Sequence, residues 1–255
     1  MKLKIIGTGS KGNAYVLENE HEALLIEAGV NIKEIKQALY FDYSKVVGCI
    51  ISHEHGDHFK STQDIIDLGI DVYALKETFE NKTFPTQGFR RKIIESKKSF
   101  QIGNFRIMPF DLKHFDIRKG ARYEVPCVGF LIEHPECGKV LFITDTYYCK
   151  YTFPGLNNII IEANYSKEII DKKYGPDSEK EFLRDRILQS HFSLANCKDM
   201  LKANDLRQVN NIVLIHLSDS NSDEKQFQKE VYELTYKNVH VASNGMVIDF
   251  KKTPF

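Results

Sequence analysis

The sequence predicts an α/β (α+β) protein in which two mixed sheets are flanked by helices. Three observations carry this. Short apolar strands open the chain, and strands then alternate with helical segments in both halves. The 255 residues, 42% hydrophobic and 27% charged, can also bury a sizeable core. No repeat, low-complexity tract or Pro/Gly/Ser-rich linker breaks the pattern, so residues 1–255 are read as one domain. Alternation alone does not separate this layout from other α/β arrangements.

Leu3–Ile6 reads as an apolar strand that stops at Gly7-Thr8-Gly9-Ser10-Lys11-Gly12-Asn13. Ala14–Leu17 and Ala23–Ile26 are two more strands, joined by a polar turn around Asn19–Glu22. Ile32, Ile35, Lys36 and Leu39 recur at helical spacing behind Asn31, a good capping residue, so a helix is expected over Ile32–Leu39. Val46–Ile51 is a buried strand running straight into Ser52-His53, Ser61 or Thr62 caps a helix through Leu68, and Asp71–Ala74 is again a strand. In the second half Phe105–Phe110, Val125–Ile132, Val140–Ile143, Ile159–Glu162 and Ile212–Leu217 are strand-like. Helices are expected around 166–172 and 179–188, and over Leu194–Ala203 and Glu224–Leu234. Asn244-Gly245 has the residue types of a tight β-turn and is expected to join Val239–Ala242 to Met246–Phe250 as a hairpin.

Composition excludes several classes. The 35 basic and 35 acidic residues balance, so no global charge announces a polyanion partner, although a local patch suffices for one. Five cysteines without C-x-x-C spacing read as reduced, buried thiols rather than a zinc knuckle. No apolar run approaches the roughly 20 residues of a membrane-spanning helix, and the start MKLKIIGTGS lacks the apolar stretch of a signal peptide. The expectation is a cytoplasmic protein without a membrane partner.

The chemistry concentrates in 50-IISHEHGDHF-59, which places His53, His55, Asp57 and His58 within six residues directly after a buried strand. Three imidazoles and a carboxylate crowded at a strand end are costly unless a cation holds them. Such a donor set suits zinc, or manganese or iron where carboxylates are more numerous. His114, Asp145 and His216 each follow an apolar strand and complete seven candidate ligands, enough for two metals sharing one carboxylate.

These residues carry a resemblance. In GTGSKGNAYVL, LLIEAG, ISHEHGDH, the His114 segment, LFITDT, IIIEANYS, RILQSHFS and LIHLSDSNSD, the chain resembles the metallo-β-lactamase-fold hydrolases. Within them it resembles the branch of tRNase Z, cyclic phosphodiesterases and, from end to end, the YycJ/WalJ-type exonucleases. The resemblance implies an αββα sandwich with two divalent metal ions, Zn2+ first and Mn2+ or Fe2+ as alternatives, at one edge. It implies that His53, His55 and His114 hold one metal, that Asp57, His58 and His216 hold the other, and that Asp145 bridges them. Alternate positions of an extended loop point the same way, which lets His53 and His55 share a metal while Asp57 and His58 reach its neighbour. The implied reaction is in-line attack on a phosphodiester by a metal-held hydroxide, with the metals neutralising phosphoryl charge.

Asp57, His191 and Glu162 are the candidate catalytic residues. His191 matches a histidine that in this branch assists the leaving group without binding metal. Glu162 matches the acid that orients it, and a histidine paired with a carboxylate suits a general acid. The chain departs from the family pattern at Glu27, where an aspartate is usual, at Tyr165 in place of a histidine, and at Phe115-Asp116 after His114. His21, His134 and His240 are not expected to be ligands.

The substrate reading is a phosphodiester, with nucleic acid and exonuclease-like action first. Arg90-Arg91-Lys92 with Lys97 and Lys98, near Phe84, Phe89 and Phe100, is the densest basic run, and Lys113, Arg118, Lys119 and Arg122 surround His114. The alternatives are a small-molecule hydrolase of the same fold (a cyclic nucleotide phosphodiesterase, thioesterase or lactonase) and a metal-binding scaffold without turnover. Oligomeric state, a homodimer included, stays open.

Overall fold

The computed structural model describes residues 1–80, 84, 88–118, 121–174 and 181–253. Two seven-stranded sheets face one another. The first runs, edge to edge, as β14 (Val247–Asp249), β1 (Lys2–Gly7), β2 (Ala14–Glu18), β3 (Ala23–Ile26), β4 (Val46–Ile50), β5 (Val72–Ala74) and β6 (Arg91–Ile93). The second runs as β13 (Asn238–Val241), β12 (Asn211–Ile215), β11 (Leu156–Glu162), β10 (Gly138–Ile143), β9 (Ala121–His134), β8 (Phe105–Arg118) and β7 (Phe100–Ile102). Each sheet is antiparallel over one half and parallel over the other, with β3 to β6 and β10 to β13 the parallel halves.

Period-two alternation sorts the strands' apolar residues between layers. Leu3, Ile5, Tyr15, Leu17, Leu24 and Ile26 point between the sheets and meet Phe130, Val140, Phe142, Ile160 and Val213 of the second sheet. Their neighbours in sequence point outward, and both faces are apolar because both are covered. Val16, Leu25, Cys49 and Ile51 pack under Ile35 of α1 (Ile32–Ala38) and Ile65 and Ile66 of α3 (Thr62–Asp67). Leu141, Ile143, Ile159, Ile161 and Leu214 pack under Leu194, Cys197 and Leu201 of α7 (Leu194–Ala203) and Phe227 and Val231 of α8 (Glu224–Thr235). The other helices among the described residues are α2 (Gly56–Phe59), α4 (Lys76–Glu80), α5 (Lys167–Lys173) and α6 (Glu181–Ser190), and the order of layers is α, β, β, α, the sandwich that the resemblance implies. The five cysteines are buried and free, and no helix among the described residues is long and apolar enough to cross a membrane.

Most expected elements are present, with three informative differences. The first concerns the Asn244-Gly245 hairpin, which is overturned: β13 lies at the edge of the second sheet, parallel to β12, whereas β14 pairs antiparallel with β1 in the first. The turn chemistry is as read, with Gly245 at φ 84°. The chain nevertheless crosses between sheets there, because Met246, Ile248 and Phe250 belong to the core between the sheets while Val239 packs on an outer face. Asn157, Asn158, Asn210 and Asn211 hold the crossing segment, donating to the carbonyls of Lys252, Lys251, Lys251 and Asp249.

The second difference is length. β8 and β9 run fourteen residues each and form a two-stranded arm past the rest of the sheet. Pro109 and Pro126 sit where β7 and β10 no longer pair with them, so neither ring interrupts a ladder. The third is capping. Asn31 accepts from Lys33 N–H as expected, but Ser61 and Thr62 donate their hydroxyls to Val30 and Phe59 carbonyls instead of capping α3.

Candidate metal centre

The site lies where the parallel strands of both sheets end. β4 delivers His53 and His55 in extended backbone, and the chain then turns into a single helical turn, α2 (Gly56–Phe59), that carries Asp57 and His58. The expected extended loop thus holds for the first pair and is replaced by a helical turn for the second. β10 leads to Asp145, β12 to His216, and the arm of β8 to His114. Asp145 (φ 39°), His216 (φ 55°) and Glu27 (φ 65°), the last directly after β3, adopt left-handed backbone that side chains with a Cβ rarely accept. Each such residue costs on the order of 1–3 kcal/mol. The abrupt turn off the strand aims all three side chains at one point. Glycine closes the loops behind it: a Cβ at Gly29 would stand 1.6 Å from the Asp57 carbonyl oxygen, and one at Gly12 would stand 2.6 Å from that of Gly29.

The seven candidate ligands converge as two donor sets sharing Asp145, His53-His55-His114-Asp145 and Asp57-His58-Asp145-His216. In the first, His55 Nδ1 lies 3.1 Å from His53 Nε2 and 3.0 Å from His114 Nε2. Four ligands held tetrahedrally at about 2.0–2.1 Å from zinc stand about 3.3 Å apart, so this spacing suits one cation. Asp145 Oδ2 is 3.6 Å from His53 Nε2 and 3.5 Å from His58 Nε2, which lets it serve both sets. In the second set Asp57 Oδ2 is 3.5 Å from His58 Nε2 and 3.4 Å from His216 Nε2. His216 Nε2 is buried with no hydrogen-bond partner, as an atom meant for a cation is. The donor types and this orphaned atom fit a pair of divalent metals.

Electrostatics agree with the fit. Burial holds His53 and His55 below the ordinary imidazole value and His114 at about 4, so these rings offer lone pairs at neutral pH. Burial acts the same way on His58 and His216, but Asp145 and the neighbouring carboxylates outweigh it and raise both. Burial pushes Asp57 and Asp145 upward, yet the imidazoles of His58 and His216 keep both well below the carboxylate range.

Supporting residues fix the rings. Ser52 Oγ is 2.9 Å from His53 Nδ1, and His114 Nδ1 donates to the Ser190 carbonyl at 2.9 Å. Glu27 accepts from Ser52 N–H and stands 3.5 Å from His58 Nδ1, so its extra methylene still reaches the ligand loop. Asn13, fully buried, donates to the Asp57 carbonyl and stands 3.2 Å from His58 Nε2. Its place in the GTGSKGN run was the one signal available for it. Tyr165 is buried against Ile170 and Tyr174 rather than lining the site, and burial pushes its phenol up to about 12. Asp116 takes a position beside His55, with Oδ2 3.5 Å from His55 Nε2.

His191 follows α6 (Glu181–Ser190) and turns Nδ1 to Glu162 Oε1 at 2.8 Å. The same oxygen is 2.9 Å from His216 Nδ1, and the other accepts from the N–H groups of Thr146 and Phe192. Glu162 therefore holds a candidate ligand, His216, as well as His191, a double contact that the sequence does not announce. Asp145, Glu162, His191 and His216 themselves form a third donor group. A cavity of about 420 Å3 opens over these residues, lined further by Ser10, Asn164, Arg186 and Asn221.

The basic runs differ from expectation. Arg90 and Lys92 pair with Asp71, Lys97 with Asp111 and Lys98 with Glu95, Phe100 stacks on Tyr73, and none of these residues lines the cavity. Lys113 pairs with Glu124, and Arg122 covers the Phe115 ring at 3.7 Å. Lys119 and the Arg118 side chain lie outside the described residues. His134 pairs with Glu22 and His240 stands 3.3 Å from Asn211 Oδ1; with His21 they lie apart from the donor groups found among the described residues.

Comparison with known proteins places this geometry. Residues 23–217 match the model of the beta-lactamase superfamily domain. The exodeoxyribonuclease WalJ of Streptococcus pneumoniae (serotype 2, strain D39) is 28% identical over 265 residues, covering 98% of this chain and 92% of WalJ. The exodeoxyribonuclease YycJ of Bacillus anthracis is 25% identical over 239 residues, covering 87% of this chain and 84% of YycJ. The metallo-beta-lactamase fold protein YhfI of Bacillus subtilis superposes with a TM-score of 0.67 at 16% identity, over 97% of this chain and 99% of that one.

Proposed function

The chain belongs to the beta-lactamase superfamily, and from that premise we propose that it is a dinuclear metal-dependent hydrolase of phosphodiester bonds, with nucleic acid as substrate and exonuclease-like action. The observation that carries the reading is His191: a ring held by Glu162 at the edge of two donor sets that share Asp145, facing the cavity without belonging to either set. The exodeoxyribonuclease names of the relatives support the substrate class.

In this reading His53, His55 and His114 would hold one divalent metal and Asp57, His58 and His216 the other, with Asp145 available to both sets. Zinc suits the imidazole-rich first set, and manganese or iron suits the carboxylate-richer second. When bound, such a pair supplies Lewis acidity, acidifying water and neutralising phosphoryl charge. The chain's own residues do the rest. With Nδ1–H donated to Glu162, His191 presents Nε2 to the cavity, and a proton there is delivered to the leaving oxygen. Asp57, beside His58 and His216, orients the attacking water, Ser52 and Glu27 keep the ligand rings from turning, and Asn13 holds the backbone of Asp57. Residues 1–255 form one domain, and the protein works in the cytoplasm.

The test is turnover of fluorescent single- and double-stranded oligonucleotides and of bis-p-nitrophenyl phosphate, with Zn2+, Mn2+ or chelator. Stepwise shortening that chelator abolishes is the expected result. Cleavage of the small diester with intact oligonucleotides overturns the nucleic-acid reading in favour of a small-molecule phosphodiesterase.

A further inference from the structure

Arg186 is the one lysine or arginine among the described residues lining the cavity, whose other charged walls are Asp57, Asp116, Asp145 and the histidines. It lies five residues before His191, about 7.5 Å along a helix axis. Its partner Asp116 lies two residues after His114, about 6.7 Å along a strand. The end of α6 and the arm of β8 thus run side by side in opposite senses and form two tiers. The inner tier is His114 with His191, ring centroids 6.3 Å apart. The outer tier is Asp116 with Arg186, 3.5 Å apart.

The other oxygen of Asp116 is 3.5 Å from His55 Nε2, so the guanidinium is held at the mouth, one carboxylate away from the inner donor set. Asp116 pairs with the guanidinium through Nη2, at 3.5 Å, and so holds the charge at the mouth. The Arg186 side chain is 53% exposed.

Resting on the nucleic-acid reading of the site, we infer that Arg186 grips the substrate phosphate next to the scissile one. A phosphate over the inner tier meets the ligands and His191. Only a strand carries a second phosphate outward, where a planar guanidinium matches two of its oxygens. A small diester has one phosphate and no partner for the outer tier. Arg186 therefore separates strands from small diesters.

The test compares wild type, Arg186→Ala and Arg186→Lys on an oligonucleotide and on bis-p-nitrophenyl phosphate, with bound metal measured in each. In Arg186→Ala, kcat/KM for the oligonucleotide should fall at least about tenfold further than for the small diester, chiefly through KM. In Arg186→Ala the slope of log KM against log salt should drop by about 0.7, and Arg186→Lys, which keeps the charge, should restore the slope and part of the loss. Equal losses on both substrates, no loss on the oligonucleotide, or loss of bound metal overturns the assignment while leaving the nucleic-acid reading standing. A wild type that cleaves only the small diester overturns both.

Discussion

At the scale of single residues, the site depends on separating ligands from the residues that hold them. His191 and His216 share Glu162 Oε1, yet the reading gives them different tasks. His191→Ala should keep both metals and lose about 100-fold or more in kcat, the usual contribution of a general acid. Asp145→Ala, which removes the carboxylate between the two sets, should lose metal along with activity. Metal analysis after gel filtration, beside kinetics, checks the pair. Metal lost in step with activity in His191→Ala would move His191 into the ligand set, as the third donor group allows. The convergence of the seven candidate ligands was legible in the sequence because each is a metal-binding type near the end of an apolar run. Asn13, Asp116 and Arg186 were not, since amides, carboxylates and guanidiniums of that kind occur on every surface and only proximity gives them a task.

At the scale of elements, the two sheets are tied together at the end opposite the site by a buried polar cluster. Glu22, just before β3, accepts from His134 at the end of β9 and from the main-chain and side-chain N–H of Asn104, just before β8. Burial raises its carboxyl, but these donors outweigh burial and the net shift is downward. A depressed folded-state value gives stability that is present above the unfolded value of about 4.3 and is lost as pH falls through the folded one. Glu22→Gln should therefore cost about 1–2 kcal/mol at pH 7, and urea titrations should show the gap to wild type closing below about pH 4. A gap independent of pH would mean that shape rather than charge matters there. Elements with strong periodicity were legible at this scale. β6, β7 and α2 were missed because three- and four-residue segments carry too little pattern.

At the scale of the whole molecule, one apolar layer joins the sheets and two more attach the helices. Taken as the one domain proposed above, the chain should unfold in one transition. Far-ultraviolet dichroism and tyrosine fluorescence should report the same urea midpoint, and chelator should lower the thermal midpoint because bound metal favours the native state. Two separated transitions would divide the chain into two folding units. The sequence by itself determined the α/β class, the strands and helices that carry a clear period, and the seven candidate ligands that the fold brings together, because alternation and residue chemistry are local properties. Only the tertiary structure decided that Asn244-Gly245 crosses between sheets, that Arg90, Lys92, Lys97 and Lys98 pair with carboxylates away from the cavity, and that Glu162 serves two histidines. Each of these depends on which partner lies across space, and a strand's own residues do not state which sheet it will join.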